Sequence, residues 1–345
     1  MNPIIFAKYQ WKNNKKGIVV IFTILLFFSI VFLYSGKPIS AFTEEAKDTY
    51  RIAIISDPDT DSKIDEYKWE SILKTGYLKR NKDKTYTLLW EKQINLTTRH
   101  SESGRGMELS ELIMFEGKLL AFDDRTGIVY EIKDDQAFPR YILADGDGNN
   151  NKGFKCEWAT VKNRQLYVGS IGKEYVSDGK ILHYNPMWIK IIDKKGKISH
   201  VDWKEQYNVI RGATNSLYPS YQIHEAVNWN PTHQKWFFLP RKISHQPYDE
   251  VIDEMKGSNK LISVNEKFKD IEVIEVGEVN ESRGFSSFKF IPGRPNEIIA
   301  LKTQEVNGEV GSWILVFDIE SKKFLLPETY IDEMKFEGVE FIPDV

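Results

Sequence analysis

Cysteine is almost absent from this chain. Cys156 is the only one, which excludes an intrachain disulfide and any disulfide-stapled scaffold. No CxxC, HExxH or GxSxG segment occurs, so zinc-hydrolase and serine-nucleophile templates find no support. No long basic run lies in the folded part and the formal net charge is only −3. A nucleic-acid partner therefore has no electrostatic footprint. Heptads and low-complexity tracts are missing too. What remains is an aromatic-rich chain whose globular part, about 300 residues, can bury a large core without staples.

Three segments imitate ligand loops and fail on detail. Asp57-Pro58-Asp59-Thr60-Asp61 opens like an EF-hand loop, but Ser62 replaces the sixth-position glycine and Lys68 the twelfth-position glutamate. The stretch from Asp145 to Asn149 fails likewise, with Asn150 and Cys156 at those positions. Gly169-Ser170-Ile171-Gly172-Lys173 lacks the spacing and the hydroxyl of a phosphate loop.

Long hydrophobic runs are scarce as well, with one exception at the N-terminus. Residues 17–34 carry no charge over 18 positions and follow Lys8, Lys12, Lys15 and Lys16. A bilayer span needs about 20 apolar residues, and flanking lysines keep their side cytoplasmic. The sequence predicts a basic cytoplasmic tail (1–16), a signal-anchor transmembrane helix (17–34), a polar linker (35–49) and a lumenal or extracellular domain (50–345). Cleavage near Ile39-Ser40-Ala41, giving a secreted protein, is the competing reading. The sequons at Asn95 and Asn280 suit a secretory-pathway or cell-surface location.

Within the domain one pattern occurs five times: an oxygen-bearing leader, then apolar residues at the second and fourth positions after it. The leaders are Ser110, Glu157, Glu225, Ser286 and Glu337, spaced by 47, 68, 61 and 51 residues. The second positions are Leu112, Ala159, Val227, Phe288 and Val339; the fourth are Met114, Val161, Trp229, Phe290 and Phe341. Such alternation marks a strand with one buried face. Repetition at roughly 40–50 residues predicts an all-β, five-bladed β-propeller. Four leader strands are followed by a turn and a second apolar strand, whereas Glu337–Ile342 has nothing after it. Pairing with Arg51–Ser56 would close the ring and leave no open edge. The stretches 171–222 and 241–283 read as inserts, the first as folded decoration, the second as helix-compatible around Asp249–Lys256 and returning to strand at 260–264 and 271–276.

A ring of five oxygen donors around one axis suits a hard cation. Ca²⁺ takes 6–8 oxygens, whereas Zn²⁺ prefers Cys and His. Three buried glutamates without a cation would be held up by desolvation and mutual repulsion; the competing reading puts them on an exposed rim. His224, next to Glu225, would point to the opposite face as a packing residue. At the ends of neighbouring strands stand Asp123, Asp124, Arg125, Arg241 and Lys302, with Asp57 and Asp59 after the closing strand. Acids beside cations and a metal make a workable constellation for phosphoryl transfer. Arg125, Arg241 and Lys302 would hold phosphate oxygens, and a carboxylate would orient water. The bland alternative for Asp123–Gly127 is a solvated turn.

These residues resemble the soluble calcium-activated nucleotidase (apyrase) family. The resemblance is carried by GRGMELSEL (104–112), DDRTGIVYEI (123–132), DGDG (145–148), GFKCEW (153–158), YVGSIGKE (167–174), IHEA (223–226), WFFLPR (236–241), GFSSFKFIP (284–292), FLLPET (324–329) and FEGVEFI (336–342), in order across residues 50–345. It implies a five-bladed propeller with Ca²⁺ in its central tunnel, held at Ser110, Glu157, Glu225, Ser286 and Glu337, with Glu111 adjacent. It implies acidic active-site positions at Asp124 and at Asp57 or Asp59, and hydrolysis of nucleoside di- and triphosphates such as UDP, GDP, ADP or ATP. Vertebrate members carry a similar N-terminal anchor. One departure is Cys156, where alanine is common, and a small buried residue is expected there. A non-catalytic, Ca²⁺-stabilised propeller binding a glycan or protein is the rival reading, and homodimerisation stays open.

Overall fold

Period-2 patterning produces strands, and among the described residues they form five blades of four strands, with the short strand Lys63–Asp65 added to the first blade and two two-stranded pairs outside the blades. The structure, a computed structural model, describes residues 47–344. The expected signal-anchor at 17–34 lies outside these residues. Among the described residues no helix is long and apolar enough to cross a membrane.

Each leader pattern forms the innermost strand of one four-stranded antiparallel blade. Blade 1 orders Phe336–Phe341, Thr49–Ser56, Lys68–Arg80 and Tyr86–Thr98 from the inside outward. Blade 2 runs Leu109–Phe115, Lys118–Asp123, Ile128–Lys133 and Gln136–Ile142. Blade 3 runs Trp158–Lys162, Gln165–Gly169, Trp188–Ile192 and Ile198–Asp202. Blade 4 runs Ala226–Asn230, Lys235–Leu239, Lys260–Asn265 and Glu272–Glu275. Blade 5 runs Arg283–Ile291, Arg294–Val306, Glu309–Asp318 and Lys323–Asp332. Each innermost strand neighbours the next, and the last returns to the first. The ring closes as expected: Ile52 pairs with Phe341, Ile54 with Val339 and Ile55 with Gly338.

The inserts need a partial correction. The stretch 171–222 supplies the outer half of blade 3 besides a hairpin and the helix Lys204–Gly212. The stretch 241–283 does the same for blade 4. The strands expected at 260–264 and 271–276 are there, as the outer two strands of blade 4; the outer strands of blade 3 are unexpected.

The core is divided into five wedges, one between each pair of adjacent blades. The closing strand shows why. Ile52 and Ile54 pack toward blade 5, while Ala53 and Ile55 pack toward blade 2. Leu112, Ala159, Val227, Phe288 and Val339 are all fully buried in these wedges. Burying one large apolar side chain contributes about 1.5–3 kcal/mol, so the wedge-facing side of every inner strand is stabilising. Gly338 marks the tightest approach: a Cβ there would lie 2.6 Å from the Leu112 nitrogen of the next blade.

Inner strands have one hydrogen-bonding edge without a strand partner. Polar side chains of the preceding blade satisfy it at four seams. Thr160 Oγ1 accepts from the Trp229 N–H (3.1 Å), and Asn228 Nδ2 donates to the Phe288 carbonyl. Ser287 Oγ accepts from the Val339 N–H (3.4 Å), and Glu340 from the Met114 N–H (3.0 Å). In the same belt Glu111 meets Lys289 (2.9 Å) and Ser287 (2.9 Å), with both ends of the ion pair buried. Buried polar groups persist when paired in this way.

Candidate functional site

The leaders stand at the start of the inner strands, and local irregularity aims them. Register shifts fall at Ser110, Ser286 and Glu337, where one residue bulges out of the ladder. Glu157 stands just before its strand, its N–H donating to the Gly169 carbonyl that Trp158 also faces. Bulges re-aim side chains and recur beside functional sites. Glu157, Glu225 and Glu337 line one cavity of about 630 Å³, together with Asp57, Asp59 and Asp124.

Three cations interleave with these acids. Lys155 meets Asp124 and Glu157 (2.6 Å to Glu157). Arg241 lies between Glu225 (2.5 Å) and Glu337 (2.6 Å). Lys335 contacts Asp57 (2.9 Å) and Asp59. Gly284 makes room for this arrangement, since a Cβ there would stand 2.4 Å from Arg241 Cγ. Burial pulls down the ammonium of Lys155, yet Asp124 and Glu157 hold it well above its ordinary value. Glu157 is pushed up to about 8, first by burial and then by Glu225 and Asp124 against the pull of Lys155. Glu337 is raised well above the carboxylate range, again chiefly by burial.

Asp57 and Asp59 are pushed apart. Burial opposes the Asp57 charge, but Lys335 holds that carboxyl below its ordinary value. Asp59 is raised by burial and by the Asp57 charge. Opposed shifts on neighbouring acids separate a charged group from a proton holder. Glu108 joins them: among the described residues, Asp57, Asp59 and Glu108 form the one acidic group with oxygens within 4.8 Å of one another. Arg105 grips Glu108 (2.8 Å) and Asp59 (3.3 Å), so this group already carries cationic partners.

Asp123 and Asp124 divide their labour. Buried Asp123 accepts from the N–H groups of Met107 (2.8 Å), Arg125 (2.9 Å) and Thr126 (2.9 Å), fixing the turn. The turn presents Asp124 to the cavity, where Lys155 contacts Oδ2 while Oδ1 is buried with no hydrogen-bond partner. Asp123–Gly127 is thus a buried, bonded turn and not a solvated one.

Other expected residues sit elsewhere. Arg125 does not line the cavity. Lys302, buried on the second strand of blade 5, contacts Glu328 and lies over the Phe285 ring (4.7 Å). Glu111 belongs to the belt described above. Ser110 and Ser286 are fully buried at the ring; Ser286 Oγ donates to the Phe336 carbonyl (3.2 Å), and Ser110 Oγ has no partner. His224 packs between Tyr207 and Phe238 on the opposite face, and burial pushes it down to about 3. Cys156 is buried, its thiol donating to the Phe154 carbonyl (3.4 Å). Sequence reading missed Lys155, Lys335, Glu108 and Arg105, and also Glu305, which lines the cavity 3.6 Å from Arg241. A signal existed: Glu108, Lys155 and Lys335 each stand two residues before a leader, the offset that shares a strand face.

The leader donors are all oxygens, three of them carboxylates, and Ser110 Oγ is buried without a hydrogen bond, a donor type that a hard cation takes. The acidic oxygens that converge within 4.8 Å among the described residues are those of Asp57, Asp59 and Glu108 and not of the leader glutamates. A propeller whose axis opens on interleaved carboxylates and cations defines a class of protein built to handle a charged, phosphate-like ligand. Known proteins are more specific. Residues 58–342 match the family model described as Apyrase. The chain is 47% identical over 298 residues to soluble calcium-activated nucleotidase 1 of Rattus norvegicus, covering 85% of this chain and 74% of that protein. It is 46% identical over 308 residues to an apyrase of Cimex lectularius, with 87% and 84% covered. It is 43% identical over 316 residues to Apyrase apy-1 of Caenorhabditis elegans, with 90% and 88% covered. The chain belongs to the apyrase family.

Proposed function

We propose that this protein is a Ca²⁺-dependent hydrolase of nucleoside di- and triphosphates that releases inorganic phosphate. The observation that carries the reading is Asp124: it lines a cavity with Lys155, Arg241, Lys335 and three further lysines, one carboxylate oxygen is held by Lys155, and the other is buried and unpartnered. A non-catalytic binding surface has no need of that free oxygen among phosphate-gripping cations.

Ser110, Glu157, Glu225, Ser286 and Glu337 would hold the ion. Bound there, Ca²⁺ supplies fixed positive charge against the phosphate chain. The side chains do the rest. Lys155, Arg241 and Lys335 donate to phosphate oxygens, exchanging carboxylate partners for the ligand. Asp124 Oδ1 accepts a hydrogen bond from water and orients it toward the terminal phosphorus. Water's oxygen forms the new P–O bond as its proton passes to Asp124 and the bridging P–O bond breaks, and the electron pair leaves on the bridging oxygen of the lower phosphate. Asp59, biased toward its protonated form, holds a proton for a phosphate oxygen, while Asp57 keeps Lys335 in place. Arg125 and Lys302 act on the site only through the turn and blade that carry them.

We also place the protein in the secretory pathway or at the cell surface, with residues 17–34 as signal-anchor or cleaved signal. The uncharged run behind four lysines supports this. The test is phosphate release from UDP, GDP, ADP and ATP by the purified full-length chain, with Ca²⁺, with Mg²⁺ and with a Ca²⁺ chelator. Release that requires Ca²⁺ is expected. A folded, Ca²⁺-stabilised protein that releases none would favour the glycan- or protein-binding propeller.

A further inference from the structure

The hairpin Tyr175–Ser177/Lys180–His183 is not part of any blade, yet it walls the same cavity as the acids and cations. Tyr175 and His183 are directly paired across it. Their rings are parallel within 3° at 4.8 Å between centroids. Tyr175 is 50% exposed, so the stack is not explained by burial in a core. Its two-residue turn, Asp178 and Gly179, has positive φ at both positions (49° and 68°), the geometry that matches strand twist in tight hairpins.

The hairpin is held rigidly. Glu174, just before it, takes two hydrogen bonds from Arg211 Nη1 (3.0 and 2.9 Å), and Arg211 is fully buried on the helix Lys204–Gly212. Tyr218 Oη donates to the Gly179 carbonyl at the turn (3.0 Å). The Gly172 N–H donates to the Pro186 carbonyl, tying the two flanks together (3.0 Å). The Asn185 N–H donates to His183 Nδ1 (3.3 Å). In the neutral ring this places the proton on Nε2, a donor. Tyr248, 45% exposed, lines the cavity as well, beside Lys173.

We propose that the Tyr175–His183 stack is the platform for the nucleobase and the main determinant of base preference. The inference rests on the nucleotidase reading. The cavity has charged groups for a phosphate chain at the blade ends and flat, half-exposed rings on an excursion from the blades. A planar heterocycle attached to a phosphate chain matches both. Stacking on an aromatic ring is tolerant of base identity, whereas the His183 Nε2–H favours a base edge that presents an acceptor. Bases with a carbonyl at that edge, guanine and uracil, gain a hydrogen bond that adenine's amino group cannot accept. Holding the rings before the ligand arrives avoids an ordering cost on binding.

The test uses the full-length protein, Tyr175→Ala, Tyr175→Phe and His183→Ala. Hydrolysis of GDP, UDP and ADP is compared with hydrolysis of inorganic tripolyphosphate, which has no base. Binding of non-hydrolysable methylene analogues is compared with that of methylene diphosphonate. Tyr175→Ala should lower the nucleotide-to-tripolyphosphate ratio of kcat/KM about tenfold, the weight of roughly one stacked base, with the change mainly in KM. Tyr175→Phe should restore it. His183→Ala should narrow the gap between GDP or UDP and ADP. Equal losses on tripolyphosphate and nucleotides, or an unchanged ratio in Tyr175→Ala, would overturn the platform. Should the wild type hydrolyse nothing, the nucleotidase reading fails alone: selective loss of nucleotide-analogue binding in Tyr175→Ala would still uphold the platform, and its absence would overturn it.

Discussion

Two polar layers lie on the same five inner strands, about 3–10 Å apart along them, and they behave oppositely. The belt of Glu111, Thr160, Asn228, Ser287, Lys289 and Glu340 is closed on itself: its side chains bond one another or the free edges of the strands. The leader ring is open. Its glutamates are held by Lys155 and Arg241 at the cavity wall, and Ser110 Oγ has no partner. Buried polarity alone therefore does not mark a site. What separates the layers is whether the groups exhaust one another or leave capacity for a ligand.

The sharpest way to break this contrast is to remove one partner in each layer. Lys289→Met leaves the Glu111 carboxylate buried and unpaired and should destabilise folding by about 3–5 kcal/mol. Glu111→Leu combined with Lys289→Met should recover most of that loss in denaturant unfolding. At the ring the reverse is expected: Glu157→Gln should leave stability in chelator unchanged or raised, because it relieves repulsion from Glu225 and Asp124. Asp124→Asn should lower phosphate release about 10²-fold or more with little change in unfolding midpoint. Thr160→Val strands the Trp229 N–H and should cost about 1–2 kcal/mol of stability without affecting Ca²⁺ dependence.

The pH response sharpens the comparison further. Glu157 is pushed up to about 8 in the folded protein, above its unfolded value of about 4.3. The folded state then holds the extra proton across that interval, so this group's contribution to stability falls as pH rises from about 4 to 8. The slope is at most about 1.4 kcal/mol per pH unit. Thermal melts in chelator should show the decline, and Glu157→Gln should flatten it.

Much of this was legible in the sequence. Five leaders with apolar residues two and four positions on marked the blade count, the inner strands and the closing pair, because those apolar positions share one strand face and fill one wedge of the core. Asp124 and Arg241 were legible as strand-end residues facing one cavity. Lys302 was not correctly readable, since its strand continues past it to Val306 and buries it against Phe285. Lys155 and Lys335 were visible two residues upstream of leaders, yet lysine in a connecting segment gives no sign of the acids it will pair with. The belt residues stand one or three positions after leaders, and their pairing crosses blades, which no local pattern encodes. The hairpin pair Tyr175 and His183 lay inside a stretch read as decoration.

The most direct measurement is the Ca²⁺-induced shift in melting temperature for wild type, Glu157→Gln and Thr160→Val. An ion binding only the folded state adds about 2.7 kcal/mol at a hundredfold excess over Kd. Wild type and Thr160→Val should gain the same shift, and Glu157→Gln should lose most of it. A full shift in Glu157→Gln, or its loss in Thr160→Val, would contradict the assignment of an open ring and a closed belt.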